Sequence, residues 1–237
     1  MPQSRRRRAV QCLRPYLAVY RWPVINQAAG IRWTPGLPCV KIFNMPVIYL
    51  MRHGRVHNPD EIMYGDLPGF HLSEEGVVQA QKAGDGFVQA GIRLGLIISS
   101  PLERAAETAQ AVASVTGAPL RFDERLTEWG NALWAGKKIK EFDLKSGYYA
   151  EPMVMNGMEP HERAAQRVLS VIHELKFSSD NESVLLVSHR EALASAILSI
   201  NRQPFDRIHD VCLPMGSVWE VVLRDGLPFE AKFKWEF

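Results

Sequence analysis

Three short stretches carry residue types that could act together on an anion: 52-RHG-54, 99-SSPLER-104 and 188-SHR-190. Each closes an apolar run, at 47–51, 94–98 and 184–187. Taken singly, an arginine behind a strand is an ordinary solvated charge, and a lone histidine is more often structural than catalytic. Three such deliveries in one chain are harder to dismiss. If the three strands are neighbours, Arg52, His53, Arg104 and His189 converge on one small volume. Four cationic or potentially cationic groups repel one another unless an anion lies between them. Phosphate fits best, because planar guanidinium forks match its oxygens in pairs. His57, His71, His161, His173 and His209 have no such company and read as surface or hydrogen-bonded residues.

The elements that must hold these groups can be read from hydrophobic period and from caps. Residues 47–51 form a short buried strand. The segment 73–91 reads as a helix capped by Ser73, with Val77, Ala80, Gln81, Gly84 and Val88 near one face. A buried strand follows at 94–99. The segment 100–117 is a helix in which Ser100 caps, Pro101 suits the first turn, Glu103 completes a capping box and Gly117 ends it. Another short strand falls at 119–123. Beyond a Trp- and Gly-containing loop come a helix over 159–177, a buried strand over 183–188 and a helix over 190–200. The C-terminus, 217–237, alternates as an antiparallel hairpin about Asp225-Gly226. Strands alternating with helices predict a three-layer α/β sandwich: a mostly parallel central sheet, helices on both faces and a C-terminal hairpin. In such a sheet the functional edge lies beyond the carboxyl ends of the strands, where the three polar stretches fall.

The 237 residues, 46% of them hydrophobic and 23% charged, suffice for one full core with an appendage. The formal charge of +2 is unevenly spread. No acidic residue precedes Asp60, whereas Arg5 to Arg8, Arg14, Arg21, Arg32 and Lys41 all lie within residues 1–44. That basic extension is compatible with a transit peptide, with a disordered tail, or with an over-extended reading frame whose working start is Met45; the domain proper is read as 45–237. Cys12, Cys39 and Cys212 have the spacing of neither a disulfide framework nor a zinc site. No apolar run approaches the roughly 18 residues of a membrane span. A cytoplasmic protein with no membrane partner is expected. A nucleic-acid partner would rest on the arginine run alone and is not expected, while a homodimer is compatible with the sequence.

From Met45 to the C-terminus the chain resembles the histidine phosphatase superfamily, the phosphoglycerate mutase-like proteins. The resemblance is carried by 52-RHG-54, 99-SSPLERAAETA-109, 126-LTEWGNALWAG-136 and 187-VSH-189, in that order. It implies that His53 attacks phosphorus and becomes a phosphohistidine, its tautomer fixed by a bond from the other ring nitrogen to a backbone carbonyl. Arg52, Arg104 and His189 would clamp the phosphoryl oxygens, and Gly54 would let the backbone pass close to the phosphate. Glu128 would protonate the leaving alkoxide and later activate water, with Glu124 and Glu103 as competitors. Asn58 would touch the substrate, although it stands one residue earlier than the family's usual asparagine.

Two further departures stand out: Arg55 where the family often has Glu or Gln, and Arg190-Glu191 where many members have Gly-Gly. The latter implies a bulkier, charged entrance. Tyr64 and Phe70 are candidates for the mouth; Trp129, Trp134, Tyr148 and Tyr149 could set specificity; Lys137, Lys138 and Lys140 are candidate anion contacts. No cofactor or metal is called for. The resemblance implies a metal-independent phosphatase acting on small phosphate monoesters. A cofactor-dependent phosphoglycerate mutase and a non-catalytic phosphoester-binding protein remain as alternatives.

Overall fold

The computed structural model describes residues 47–130, 134–141, 157–175, 183–224 and 227–237. The basic extension, Tyr148, Tyr149 and the turn at Asp225-Gly226 lie outside them. In chain order the elements are β1 (Ile48–Arg52), α1 (Glu74–Gln89), β2 (Leu94–Ser99), α2 (Glu103–Thr116), β3 (Leu120–Phe122), α3 (His161–Leu175), β4 (Ser183–Ser188), α4 (Arg190–Ile200), β5 (Val218–Arg224) and β6 (Leu227–Trp235). Single 3-10 turns lie at Glu124–Leu126 and Ile139–Glu141, and a longer one spans Phe205–Asp210.

The strands form one six-stranded sheet in the order β3-β2-β4-β1-β5-β6. The four strands on the β3 side of this order run parallel; β5 and β6 join antiparallel as the C-terminal hairpin. Side chains alternate across each strand, so a strand buried on both faces must be apolar at nearly every position. The sequences IYLMR, LGLIIS and SVLLVS meet that demand. Ile48, Leu50, Ile98 and Leu186 point to a core shared with Val168 and Ile172 of α3 and Leu193 and Ile197 of α4. Tyr49, Met51, Ile97, Leu185 and Val187 point to the opposite core, closed by Ala83 and Phe87 of α1 and Ala105, Ala109 and Val112 of α2. This is the expected three-layer arrangement.

Two local expectations fail, one of them in part. Ala80 and Gly84 of the expected α1 face pack inward, joined by Gly76, Ala83 and Phe87, while Val77, Gln81 and Val88 stay exposed. Close approach to α2 explains the choice, since a Cβ on Gly84 would come within 2.8 Å of the Val115 side chain. The second failure is the capping box. Helix α2 begins behind Leu102, which makes no side-chain cap. The Ser100 hydroxyl is turned to His189 instead, and the Glu103 carboxylate accepts from the backbone N–H of Gly69.

Candidate active site

Strands β2, β4 and β1 are consecutive neighbours, and their carboxyl ends are level: Arg52 pairs with Ser188, and Ser99 with Val187. Backbone bonds extend the ladder past the strands. The N–H of His53 donates to the carbonyl of Ser188 at 3.0 Å, and that of Ser100 to Val187 at 3.0 Å. The stretches singled out by residue type therefore meet at one edge, with His53, Arg104 and His189 buried.

His53 donates its Nδ1–H to the carbonyl of Gly54 at 2.8 Å, which leaves Nε2 with its lone pair. Burial, followed by repulsion from Arg52 and Arg104, holds its pKa well below the usual imidazole range despite the Gly54 bond. The ring is neutral at pH 7. His189 lies 5.2 Å away between ring centroids. Its Nε2 meets the Ser100 hydroxyl at 2.8 Å, and burial with the nearby Arg104 likewise depresses its pKa. Arg52 is pinned by a 2.6 Å bond from Nη1 to the Leu213 carbonyl. Arg104 donates Nη2 to the Gly65 carbonyl and lies 4.8 Å over the Tyr64 ring. Among the described residues no hydrogen-bond partner reaches Arg52 Nε, Arg104 Nε and Nη1, or His189 Nδ1. Buried polar atoms of that kind, most of them guanidinium N–H groups, suit an anion when gathered at one place.

Glycine at 54 has a packing reason that its motif does not reveal. A Cβ there would stand 2.5 Å from the Gly76 carbonyl oxygen, and one on Gly76 would stand 2.0 Å from that of Arg55. The loop behind β1 and the first turn of α1 are thus in backbone contact. The Gly54 N–H also donates to Thr108 Oγ1, whose hydroxyl in turn donates to the Arg104 carbonyl at 2.6 Å. Thr108 and Ser100 are supporting residues that site reasoning passed over. Thr108 was within reach of it, one turn along α2 from Arg104.

A cavity of about 290 Å³ opens in front of His53, lined by Arg52, Tyr64, Glu128, Trp129, Arg190 and Glu191 among others. Glu128 is half-buried at its wall, in a loop that Arg167 holds through the Arg125 and Thr127 carbonyls while Ser188 Oγ donates to that of Leu126. Burial and then the neighbouring Glu191 push the Glu128 carboxyl up to about 8, against the pull of the Trp129 N–H, Arg104 and Arg52. Its competitors stand elsewhere: Glu124 is exposed and Glu103 is bonded to Gly69.

Asn58 also lines the cavity, but its amide is engaged on both sides with Ile62, donating to the carbonyl at 2.8 Å and accepting from the N–H at 3.0 Å. Its visible task is to close a loop. Tyr64 lines the mouth and Phe70 packs on it, centroids 5.0 Å apart. Lys137, Lys138 and Lys140 are absent from the described lining, and Lys137 lies over Trp134. His161 is buried, donating Nδ1–H to Ser195 Oγ and stacked on Trp129.

The profile of the histidine phosphatase superfamily (branch 1) matches residues 48–235. The chain belongs to that superfamily. An uncharacterised protein of Mycobacterium tuberculosis is 32% identical over 152 residues, 60% of this chain and 72% of its own. A putative phosphoserine phosphatase of Hydrogenobacter thermophilus is 25% identical over 75% of this chain and 89% of its own. A 2,3-bisphosphoglycerate-dependent phosphoglycerate mutase of Thermoplasma acidophilum is 29% identical over 65% and 75%. In fold, the chain resembles the phosphoserine phosphatase of Entamoeba histolytica, solved with 3-phosphoglyceric acid. The TM-score is 0.68 at 23% identity, covering 81% of this chain and 98% of that one. Among the described residues no helix is long and apolar enough to cross a membrane, and no cluster of three or more His, Cys, Asp or Glu could hold a metal ion.

Proposed function

We propose that the chain is a phosphatase that hydrolyses phosphate monoesters through a phosphohistidine on His53, without a metal, in the cytoplasm. The observation that carries this reading is the state of His53, a buried, neutral imidazole between two arginines with its proton committed to the Gly54 carbonyl. In the first step Nε2 forms a bond to phosphorus while the ester P–O bond breaks. The protonated Glu128 gives its proton to the departing oxygen. Arg52, Arg104 and His189 hold the phosphoryl oxygens and offset the charge that develops on them. In the second step the Glu128 carboxylate takes a proton from water as that water attacks phosphorus. The N–P bond breaks, phosphate leaves, and His53 and Glu128 return to their starting states. Asn58 contributes by shaping the wall, with one amide hydrogen still available to a ligand.

Mutases among the relatives, that of Thermoplasma acidophilum for one, support a second reading, in which the phosphoryl group returns to a bound sugar acid. Phosphate release and isomer formation, followed together on 3-phosphoglycerate and a panel of monoesters with chelator present, separate the two. Phosphate release that persists in chelator and is lost in His53→Ala is expected. Isomer without phosphate, stimulated by a bisphosphate, would replace the phosphatase by a mutase. Failure of both, with no acid-labile phosphoenzyme, would return the chain to a phosphoester-binding role.

A further inference from the structure

Beyond the groups assigned to the phosphoryl moiety, the cavity is lined by Val56, Ile62, Met63, Ile139 and Met215, flanked by Tyr64 and Trp129. Backbone bonds hold Ile62, Met63 and Ile139 in place. The Asn58 amide makes its two bonds with the Ile62 backbone, and Ile62 forms an antiparallel bridge with Lys138. The N–H of Met63 donates to the Lys137 carbonyl at 2.8 Å, that of Gly136 to Met63 at 2.9 Å, and that of Ile139 to Glu61 at 2.7 Å. The lip is therefore a small two-stranded ribbon. It keeps Ile139, 46% exposed, at a position where burial in the core gives it no reason to be apolar.

Charge on the same wall points the same way. The cations of the described lining are Arg52 and Arg190. Arg52 belongs to the phosphoryl cluster, and Arg190 is paired with Glu191 at 2.9 Å. Glu128 and Glu191 share the cavity with them. A carboxylate carried by the alcohol part of a substrate would meet Glu191 and an arginine already bound to it, while the Glu128 carboxyl, protonated as the acid, supplies no positive charge to hold it. An apolar alcohol would meet the ribbon and bury its hydrocarbon surface there.

We propose that the site selects phosphate monoesters of apolar, uncharged alcohols, aryl or branched alkyl, over monoesters that carry a carboxylate beside the phosphate. This rests on the phosphatase reading above, so binding and turnover are to be measured separately on the full chain. Binding is followed by calorimetry with benzylphosphonate and 2-carboxyethylphosphonate. Turnover is followed as kcat/KM for 1-naphthyl phosphate, 3-phosphoglycerate and O-phosphoserine. A preference of about tenfold or more for the apolar member is expected in both series. Ile139→Lys should shrink it several-fold by placing a cation on the lip. Turnover of both classes with equal kcat/KM, or a preference for the carboxylates, overturns the inference and leaves the phosphatase standing. Apolar preference in binding with no turnover of any ester supports the pocket assignment and removes the phosphatase.

Discussion

His53 and Glu128 share one cavity, and their proton equilibria are displaced in opposite directions by the same cause. Burial disfavours whichever form is charged, so it lowers the imidazole and raises the carboxyl to about 8. The result at neutral pH is a neutral nucleophile beside a protonated acid. The sign of the pH dependence follows. His53 is deprotonated throughout the ordinary working range, whereas the acid form of Glu128 is present below about 8 and is lost as pH rises through that value. For an alkyl ester, kcat/KM should therefore be level near neutrality and fall on the alkaline side. Glu128→Gln should remove that descending limb and lower kcat by about 10²–10⁴-fold. The loss should be smaller for an aryl ester whose phenol leaves without a proton. A pH–rate series on both proteins checks this, and an alkaline limb that survives in Glu128→Gln would move the acid elsewhere. The two residue types were legible in the sequence. The resemblance implied their protonation states, but the cause lies in burial and in Glu191, which neither motif encodes.

Between elements, the positioning of the site depends on two glycines in backbone contact, one behind β1 and one in the first turn of α1. A methyl on Gly76 would stand 2.0 Å from the Arg55 carbonyl oxygen, so helix and loop must separate. The loop in question carries His53, and the contact involves no flexible side chain that could yield. Gly76→Ala should cost about 2–3 kcal/mol of stability and lower activity by more than the loss of folded protein explains. Gly91→Ala is the control: its φ is +67° with open space around it, so only local backbone strain of about 1 kcal/mol is expected. Thermal melts and activity at one temperature distinguish a misplaced His53 from a merely weakened fold. The contrast also shows what element-level reading could reach. Continuous apolar runs gave β1, β2 and β4 nearly residue for residue, because a strand buried on both faces leaves no other pattern. The inward face of α1 was legible only in part, at Ala80 and Gly84. Close helix packing adds the small residues Gly76 and Ala83 and leaves the more hydrophobic Val77 and Val88 outside. Ser100 escaped for a related reason: its position fits a helix cap, but a tertiary partner, His189, takes the hydroxyl.

At the scale of the whole molecule, the formal charge of +2 says little, while the concentration of buried donors at one sheet edge says a good deal. Each buried polar atom left without a partner opposes folding by about 1–3 kcal/mol, and among the described residues Arg52, Arg104 and His189 carry four such atoms between them. An anion that accepts from all three residues binds the folded chain and not the unfolded one. Its binding should therefore appear as stability. At a phosphate or vanadate concentration near 100 times Kd the gain is about 2.7 kcal/mol, or a rise in Tm of roughly 5–10 °C for a domain of this size. Because Arg104 and His189 are fully buried, the response should persist in 0.5 M NaCl (Debye length about 4 Å), where a surface charge patch would be screened. Arg104→Gln should lose most of the response while retaining a cooperative melt, since the backbone carbonyl of residue 104 still serves Thr108. Scanning calorimetry with phosphate, with vanadate and with NaCl alone reads all of this. An equal rise in wild type and Arg104→Gln, or one abolished by salt, would mean that the anion binds at a surface charge and not at the edge where β1, β2 and β4 deliver their polar residues.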